Sequence, residues 1–546
     1  MAKSRSVFIL LLVTSLLFSV QGQDTLSVAA SLFGMTFTAF ERDSMREDLG
    51  EYLKKYQALR SVPLGNETPF SLHFNPLPLD FQIPQNDDPW EVEIQEGARL
   101  PANIDDLAFY SVVQLGSLIK SGKITSEALT RFFLQRLKLY GDTLRCVITL
   151  TEDLALNQAR KLDRDLAAGK YRGPLHGIPY GAKDLLCVPG YPTTWGAKPF
   201  EDQMIEQKAT VIQKLEDAGA VLVAKLSMGA LAWGDVWFSG KTKNPWNLDQ
   251  GSSGSSAGSA SATAAGLVPF GIGSETWGSI VSPSNRCGTT GLRPTYGRVS
   301  RFGSMTLSWS MDKIGPICRS ARDCAVVLQA IAGPDGKDQS LIDAGFDNPF
   351  EIDLHSLRVG VFQNLFDPDD PSYENDSIAL ETFKEIGVDI VPIEFNSTLP
   401  LTALSIIMDA ESAAAFDELT RSGRDDLLVR QIRRAWPNHF RRSRFIPAVE
   451  YIQANRIRSL LLKEMFDLFN DFDVIITPTY GGDQLLATNL SGHPCLVLPN
   501  GIDQLGNLSS ITLLGNLFGE SAIIALGHAF QEKTDFEDTH PPLFRH

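Results

Sequence analysis

Residues 251–266 read GSSGSSAGSASATAAG, sixteen consecutive residues that are all Gly, Ala, Ser or Thr. A stretch without bulky side chains allows backbones to approach closely and offers many hydroxyl groups in one place. Gly/Ser-rich sequence is most often a flexible linker. Here the run lies in the middle of the chain, its second half is rich in alanine, and apolar residues 267–270 follow directly. These features favour a buried helix and a chemical role for the serines over a linker.

The first residues have the pattern of an export signal. Lys3 and Arg5 precede an apolar stretch at 7–20, and small residues stand where signal peptidases cleave, so we expect cleavage after Gly22. This stretch of fourteen mostly apolar residues is shorter than the roughly 20 that cross a bilayer. The sequence therefore predicts a signal peptide at 1–22 and a mature protein that is secreted or periplasmic, with no membrane attachment after cleavage.

Composition and charge narrow the class of partner. The chain has 546 residues, of which 43% are hydrophobic and 21% charged, enough for one large α/β domain or two domains. Its net charge of -16 becomes -18 once Lys3 and Arg5 are removed. Because an acidic surface repels nucleic acid and anionic membranes, we expect a small-molecule or peptide substrate and no nucleic-acid partner. The oligomeric state stays open.

The six cysteines allow up to three disulfides in an exported protein, but their spacing matches no metal site. Cys318 and Cys324 are close enough along the chain to suggest a local bridge. For the other four cysteines we expect buried free thiols.

The chain divides into segments of different character. Residues 23–102 combine a helical pattern at 33–59 with a proline- and aromatic-rich stretch, which is typical of an arm or cover packed on another domain. From residue 103 helical and strand patterns alternate, and a long basic helix is predicted at 425–444. Because no linker-like break divides 103–540, we predict a single large α/β domain with a mixed central β-sheet covered by helices. The predicted strands are 147–150, 177–182, 221–224, 357–362, 389–393 and 474–476.

One short motif suggests a histidine-dependent esterase. Residues 254–258, GSSAG, match the G-x-S-x-G nucleophile elbow of α/β-hydrolases, and His493 or His528 could serve as its base. That elbow follows a buried strand, whereas residues 243–250 are polar and contain Pro245. The context therefore disfavours this alternative without removing it.

Further motifs around the Gly/Ser run complete a different pattern. Lys183 lies at the end of an apolar strand in GIPYGAKD, residues 177–184, and Ser279 lies downstream in GSETWGS, residues 273–279. In this order and at these separations the motifs resemble the amidase signature family of serine hydrolases. The stretches that carry the resemblance are 177–197, 218–234, 243–269 and 271–303.

The resemblance implies roles for individual residues. It implies that Ser279 is the nucleophile, that Lys183 is the base, and that Ser255, preceded by a cis peptide bond, bridges the two. Ser256 corresponds to a supporting serine of the same motif. The family's oxyanion hole, formed by backbone N–H groups, corresponds to Thr276, Trp277, Gly278 and Ser279.

Elementary chemistry explains why these three residue types belong together. A serine hydroxyl needs a base to take its proton, and a lysine can be that base only when uncharged. With a reference pKa of about 10.4, a solvated lysine is neutral roughly once in 2,500 molecules at pH 7. Burial must therefore lower the pKa of Lys183. Ser255 can then accept a proton from Ser279 while donating its own to Lys183. This chemistry requires no metal or organic cofactor.

Two features of the nucleophile loop depart from the family's pattern. Trp277 stands where the family usually has glycine, and we expect it to narrow the acyl pocket or reshape the oxyanion hole. Glu275 and Val281 replace the usual Asp and Arg, so we expect no ion pair to brace the loop. Ser412, Trp436 and the arm at 23–100 all remain open as lining of the acyl pocket.

The sequence thus predicts an exported amidase that hydrolyses a carboxamide C–N bond through an acyl-enzyme, and it leaves the identity of the amide open. Two alternatives remain. The first is a non-catalytic binding homologue in which Trp277 fills the acyl site. The second is a protein like the A subunit of the glutamyl-tRNA amidotransferase, against which the predicted leader peptide argues.

Overall fold

The computed structural model describes residues 24–85, 90, 92, 94 and 97–545. The predicted signal peptide and its cleavage site lie outside these residues. Contacts divide the chain into two units, with the boundary between Thr68 and Pro69. The domain limits predicted at residues 22 and 102 stay predictions. None of the helices in the described part of the chain is both long and apolar enough to cross a bilayer.

The first unit contains two helices, Thr25–Leu32 and Ala39–Arg60. Thr38 caps the second helix, because its hydroxyl accepts the N–H of Glu41 while the Glu41 carboxylate accepts the N–H of Thr38. The helix predicted at 33–59 therefore begins only at Ala39, because Thr38 caps it.

The second unit includes the proline- and aromatic-rich stretch that begins at residue 69. Trp90 anchors it, since its indole N–H donates to the carbonyl of Phe346 (2.6 Å). The same ring packs edge-on against Phe346 and Phe350. Aromatic contacts of this kind add to the burial of apolar surface.

Strands of the second unit are numbered along the chain. They are β1 Val147–Leu150, β2 Pro179–Lys183, β3 Val221–Leu226, β4 Val236–Trp237, β5 Gly240–Lys241, β6 Lys243–Asn244, β7 Asn247–Gly251, β8 Gly271–Glu275, β9 Thr290–Arg293, β10 Lys313–Cys318, β11 Val359–Phe362, β12 Ile390–Ile393, β13 Val474–Pro478, β14 Cys495–Ile502 and β15 Leu508–Gly515.

Among the described residues, eleven of these strands form one mixed sheet in the order β1-β3-β2-β8-β10-β9-β14-β15-β13-β11-β12. Strand β2 runs parallel to β3 and β8, and β11 runs parallel to β12 and β13, whereas the strands between them pair antiparallel. Pairs β4–β5 and β6–β7 form two small separate sheets. The predicted α/β fold with a mixed central sheet is confirmed.

Helices cover both faces of this sheet. Along β3, Leu222 belongs to one apolar cluster while Val221 and Val223 belong to another, so both faces of the strand are packed. Such strands read as continuous apolar runs instead of alternating patterns. The helices of the second unit are Val112–Lys120, Ser126–Leu144, Glu152–Ala167, Thr210–Asp217, Ala257–Ala264, Val281–Cys287, Ala321–Ile331, Tyr373–Ile386, Ile406–Ala415, Asp417–Arg421, Trp436–Ser443, Ala448–Phe469, Gln484–Ser491 and Glu520–Gln531.

The long basic helix predicted at 425–444 is wrong. The structure has a short 3-10 turn at Arg424–Leu427, an irregular stretch, and then a helix only at Trp436–Ser443. Pro437 lies in the first turn of that helix, where its missing N–H is not needed, and the residue before a proline resists the helical conformation. The helix therefore begins at Trp436, with Pro437 in its first turn, and does not extend back to residue 425.

The second half of the Gly/Ser run forms the predicted buried helix, Ala257–Ala264, in which every residue is buried. Small residues are required because the helix packs against backbone. A Cβ on Gly258 would lie 2.5 Å from both the carbonyl oxygen of Cys146 and the backbone nitrogen of Ser227. The composition of this run is thus explained by close approach.

Candidate active site

Two neighbouring parallel strands bring the predicted residues together. Gly181 and Ala182 of β2 pair with Gly271 and Ile272 of β8, so both strands end at the same edge of the sheet. Strand β2 ends at Lys183, and β8 leads into the loop that contains Ser279. The fold therefore joins segments that are far apart in the sequence.

Lys183 points its amine into a cluster of hydroxyl groups. Its Nζ lies 2.7 Å from Ser255 Oγ, 3.1 Å from Ser256 Oγ and 2.9 Å from Ser274 Oγ. The side chain has no solvent exposure. The predicted base and the predicted bridging serine are therefore in direct contact.

Burial changes the protonation of this lysine. It lowers the pKa of Lys183 to about 7, although the negative charges of Asp312 and Glu275 act in the opposite direction. At that value about half of the molecules carry a neutral amine at pH 7. A neutral Lys183 can accept a proton from a neighbouring hydroxyl.

The turn that presents Ser255 is held by close backbone contacts. The peptide bond between Gly254 and Ser255 is cis, as the resemblance implied. A Cβ at position 254 would lie 1.9 Å from the carbonyl oxygen of Gly234, so only glycine fits there. The carbonyl of Ser255 accepts the N–H of Gly229 at 3.3 Å.

Ser256 links this turn to β8 and to the predicted nucleophile. Its hydroxyl donates to the carbonyl of Ser274 (3.0 Å) and accepts the N–H of Ser274 (3.1 Å). Its own N–H donates to the carbonyl of Ser279 (3.1 Å). Sequence reasoning missed Ser274, and the only available signal was that it is the first serine of GSETWGS.

Ser279 lies in the loop between β8 and the helix Val281–Cys287, and it is 9% exposed. Gly278 before it has φ +83°, a conformation that favours glycine. Within the described residues no hydrogen bond to the Ser279 hydroxyl is present. Catalytic hydrogen bonds are often long or poorly aligned before substrate binds, so this geometry is compatible with a nucleophile.

Glu275 braces the loop from inside. One of its carboxylate oxygens accepts the N–H groups of Ile280 (2.7 Å) and Val281 (3.0 Å). The other accepts from the Arg293 guanidinium (2.8 Å) and the Asn489 amide (2.9 Å). The expectation of no bracing ion pair is wrong, because Arg293 on β9 supplies the positive charge that residue 281 lacks.

The pKa of Glu275 reflects this environment. Burial alone would raise it, but the charge of Arg293 and the hydrogen bonds to the carboxylate outweigh burial and lower the pKa to about 2. The carboxylate is therefore charged throughout the neutral range, and the buried pair is complete.

The predicted oxyanion segment has one anchored and one exposed side chain. Thr276 Oγ1 donates to Asp312 (2.5 Å), whose carboxylate also accepts the N–H groups of Leu307 and Ser308. Burial raises the pKa of Asp312. Trp277 is 40% exposed, so its indole is not packed inside the loop. Its expected effect on the acyl pocket stays a prediction.

The structure places both predicted histidines elsewhere. His493 is buried, bonds through Nδ1 to the hydroxyl of Ser491 (2.8 Å) and stacks on Phe469; burial lowers its pKa to about 3. His528 lies on the last helix, 3.8 Å from Glu532. In the described part of the chain neither histidine contacts a serine of the Gly/Ser run, so the nucleophile-elbow alternative lacks a base.

The local bridge that the spacing of one cysteine pair suggested is not formed, and the four thiols expected to be free and buried are so. All six cysteines are free and buried. Cys318 ends β10 and Cys324 lies in the first turns of the next helix, where its thiol faces the carbonyl of Thr290 at 3.6 Å. The predicted local bridge is absent.

The two candidate pocket residues differ in their relation to the site. Trp436 donates its indole N–H to the carbonyl of Ala230 (3.1 Å), in the segment whose Gly229 bonds to Ser255. Ser412 is buried and bonds to its own helix and to His439. Trp436 thus bonds to the segment that holds Ser255, whereas Ser412 reaches Trp436 only through His439, whose ring packs edge-on against the indole.

A sequence model of the Amidase family matches residues 128–526, a range that contains Lys183, Ser255 and Ser279. The chain belongs to the amidase family. The A subunit of glutamyl-tRNA(Gln) amidotransferase from Coxiella burnetii is 32% identical to this amidase over 481 residues, covering 79% of this chain and 99% of that protein. Its counterpart from Acinetobacter baumannii is also 32% identical, over 79% of this chain and 97% of its own length.

A solved structure supports the same assignment. The native peptide amidase from Stenotrophomonas maltophilia superposes on this amidase with a TM-score of 0.70 and 28% identity, covering 79% of this chain and 98% of that one. This amidase is therefore an enzyme of the amide hydrolase or amidotransferase type.

Proposed function

We propose that this chain is an exported amidase that hydrolyses a carboxamide C–N bond through Lys183, Ser255 and Ser279. The observation that carries the proposal is the fully buried amine of Lys183, 2.7 Å from the hydroxyl of Ser255. A lysine in this position can be neutral at pH 7 and act as a base.

In the acylation step, Ser279 Oγ forms a bond to the carbonyl carbon of the amide. Its proton passes to Ser255 Oγ while Ser255 gives its own proton to Lys183 Nζ. The carbonyl oxygen becomes an oxyanion that the N–H groups of the 276–279 segment stabilise. When the C–N bond breaks, Lys183 returns a proton through Ser255 to the leaving amine, and Ser279 keeps the acyl group as an ester.

Deacylation uses the same groups with water in place of the amine. A water molecule loses a proton to Lys183 through Ser255 and attacks the ester carbonyl. The proton then returns to Ser279 Oγ as the carboxylic acid leaves. The enzyme returns to its starting state, and none of these steps requires a cofactor.

Two observations favour a hydrolase over its alternatives. The buried amine of Lys183 contacts the hydroxyl groups of Ser255, Ser256 and Ser274, an arrangement that a non-catalytic binding protein does not need. The export pattern at 1–22 favours a stand-alone enzyme over an amidotransferase component, which works inside cells with partner subunits.

Labelling by a fluorophosphonate tests the nucleophile. Ser279→Ala should abolish labelling and lower amide turnover to the background, because the attacking oxygen is gone. Ser261→Ala is the matched control, since Ser261 lies in the same Gly/Ser run but its hydroxyl donates to the carbonyl of Lys243. Undiminished labelling of the Ser279 variant would refute the assignment. So would a result in which a folded Ser261 variant loses labelling while the Ser279 variant keeps it.

A further inference from the structure

Trp277 is the exception in a buried loop. Between residues 275 and 281 every other side chain is buried, including Thr276 at 6% exposure and Ser279 at 9%, whereas Trp277 is 40% exposed. An indole carries one of the largest apolar surfaces of any side chain, and leaving it in water forgoes the stabilisation that burial would bring.

Trp277 also differs from the other tryptophans of the chain. There are eight, all within the described residues, and the other seven each have a ring contact or a hydrogen bond from the indole N–H. Within the described residues no such contact involves Trp277. No aromatic partner or indole hydrogen bond therefore fixes its ring, and the 40% of the residue that is exposed is available to a ligand.

The position of Trp277 places this free ring at the proposed reaction centre. Its backbone belongs to the proposed oxyanion segment, two residues before Ser279. The indole thus lies within one side-chain length of the point at which a substrate carbonyl would bind.

A second exposed aromatic side chain lies on the other side of Ser279. Tyr480 is 55% exposed, while burial of its hydroxyl raises its pKa and the nearby Ser282, on the helix that follows the nucleophile, acts in the opposite direction. Ser282 in turn donates its N–H to the carbonyl of Gly278 (2.8 Å). Two partly exposed aromatic side chains, Trp277 and Tyr480, therefore border the loop of Ser279.

We propose that Trp277 is a binding platform for a flat apolar group of the substrate. This inference rests on the function proposed above. It means that the enzyme prefers amides with an aromatic group next to the scissile C–N bond over small amides. Stacking a ring on the exposed indole buries apolar surface on both partners and adds an aromatic contact. A small amide would leave the indole in water.

The first experiment compares kcat/KM for acetamide with that for two aryl amides, phenylacetamide and acetanilide, which carry the ring on the acyl and the amine side. Trp277→Ala should lower kcat/KM for at least one aryl amide about tenfold, equivalent to about 1.4 kcal/mol, mainly through KM. Because Trp277 also belongs to the proposed oxyanion segment, acetamide serves as the internal reference, and the ratio of kcat/KM for that aryl amide to kcat/KM for acetamide should fall about tenfold. Trp277→Phe should retain most of the preference, because it keeps a flat ring.

Leu139→Ala is the control, since Leu139 is an exposed apolar residue (63%) on the helix Ser126–Leu144 and should leave the ratio unchanged. An aryl-to-acetamide ratio that is unchanged or raised in the Trp277→Ala variant overturns the inference. A raised ratio would mean that the indole obstructs the site.

A second measurement does not depend on which amide is turned over. The ratio of the labelling rate constant for a benzyl-substituted fluorophosphonate to that for a methyl analogue should fall about tenfold in Trp277→Ala. Equal changes for both probes overturn the platform. If Ser279→Ala abolishes labelling and the Trp277 variants show no selectivity change, only this inference fails; if Ser279→Ala is still labelled, the proposed function fails.

Discussion

At the scale of single residues, the burial of Lys183 decides the chemistry. The sequence placed this lysine at the end of an apolar strand, but a lone lysine is more often an exposed charge. Only the packing of β2 between β3 and β8 surrounds its amine with the hydroxyl groups of Ser255, Ser256 and Ser274. Hydroxyl groups can both donate and accept, so they satisfy the neutral and the charged amine alike.

The lowered pKa of Lys183 gives a prediction for the pH profile. Because the neutral amine is the active base and burial lowers its pKa to about 7, kcat/KM should rise through pH 7 and level off above it. The negative charge of Asp312 raises the pKa of Lys183, so Asp312→Asn should move the rising limb to lower pH. Measuring kcat/KM from pH 5 to 10 locates the rising limb in the parent protein and in the Asp312→Asn variant. A rising limb near pH 10, or an upward move in the variant, would contradict this account.

At the scale of elements, strand β8, the nucleophile loop and the helix Val281–Cys287 form one braced unit. The Glu275 carboxylate at the end of β8 accepts N–H groups at the start of the helix, where a negative charge is favourable, and pairs with Arg293 on β9. Sequence reasoning missed this brace because Arg293 lies 18 residues downstream, and only the sheet brings β9 near the loop.

Removing the charge of Glu275 should loosen this unit. Glu275→Gln leaves Arg293 buried without its partner, which should lower the free energy of unfolding by about 3–5 kcal/mol. The same variant should be labelled more slowly by a fluorophosphonate, because the N–H groups near Ser279 lose their anchor. Denaturant titration and labelling rates measure the two effects.

The surface pair of Glu418 and Arg424 provides the matched comparison, since both side chains are largely exposed and 3.4 Å apart. Glu418→Gln should change the free energy of unfolding by less than about 1 kcal/mol and leave labelling unaffected. Equal effects of the two substitutions would mean that Glu275 does not brace the loop.

Several strands of the central sheet escaped sequence prediction for a physical reason. The six predicted strands were observed, whereas β8, β9, β10, β14 and β15 were not predicted. Strands β8 and β9 are rich in small or polar residues. A Cβ would collide with Ser259 at Gly271 of β8 and with Ser284 at Gly291 of β9, so larger side chains have no room there. These strands are stabilised by contacts with adjacent strands and helices more than by an apolar pattern of their own.

At the scale of the whole molecule, export remains a proposal that rests on the first 22 residues. Protein purified from the host's medium or periplasm should begin at Gln23, because the small residues before it are those that signal peptidases recognise. N-terminal sequencing or intact mass measures this directly. Intracellular protein that retains Met1 would contradict export and favour the amidotransferase-like alternative.

The sequence by itself determined the family, the α/β class and the identity of the proposed reacting residues, since these depend on local motifs and on hydrophobic periodicity. The tertiary structure alone decided that Lys183 is buried, that Ser274 joins its cluster, that Arg293 braces the loop and that Trp277 stays exposed. Each of these depends on which strands become neighbours in the sheet, and pairing between distant segments leaves no mark in either segment alone.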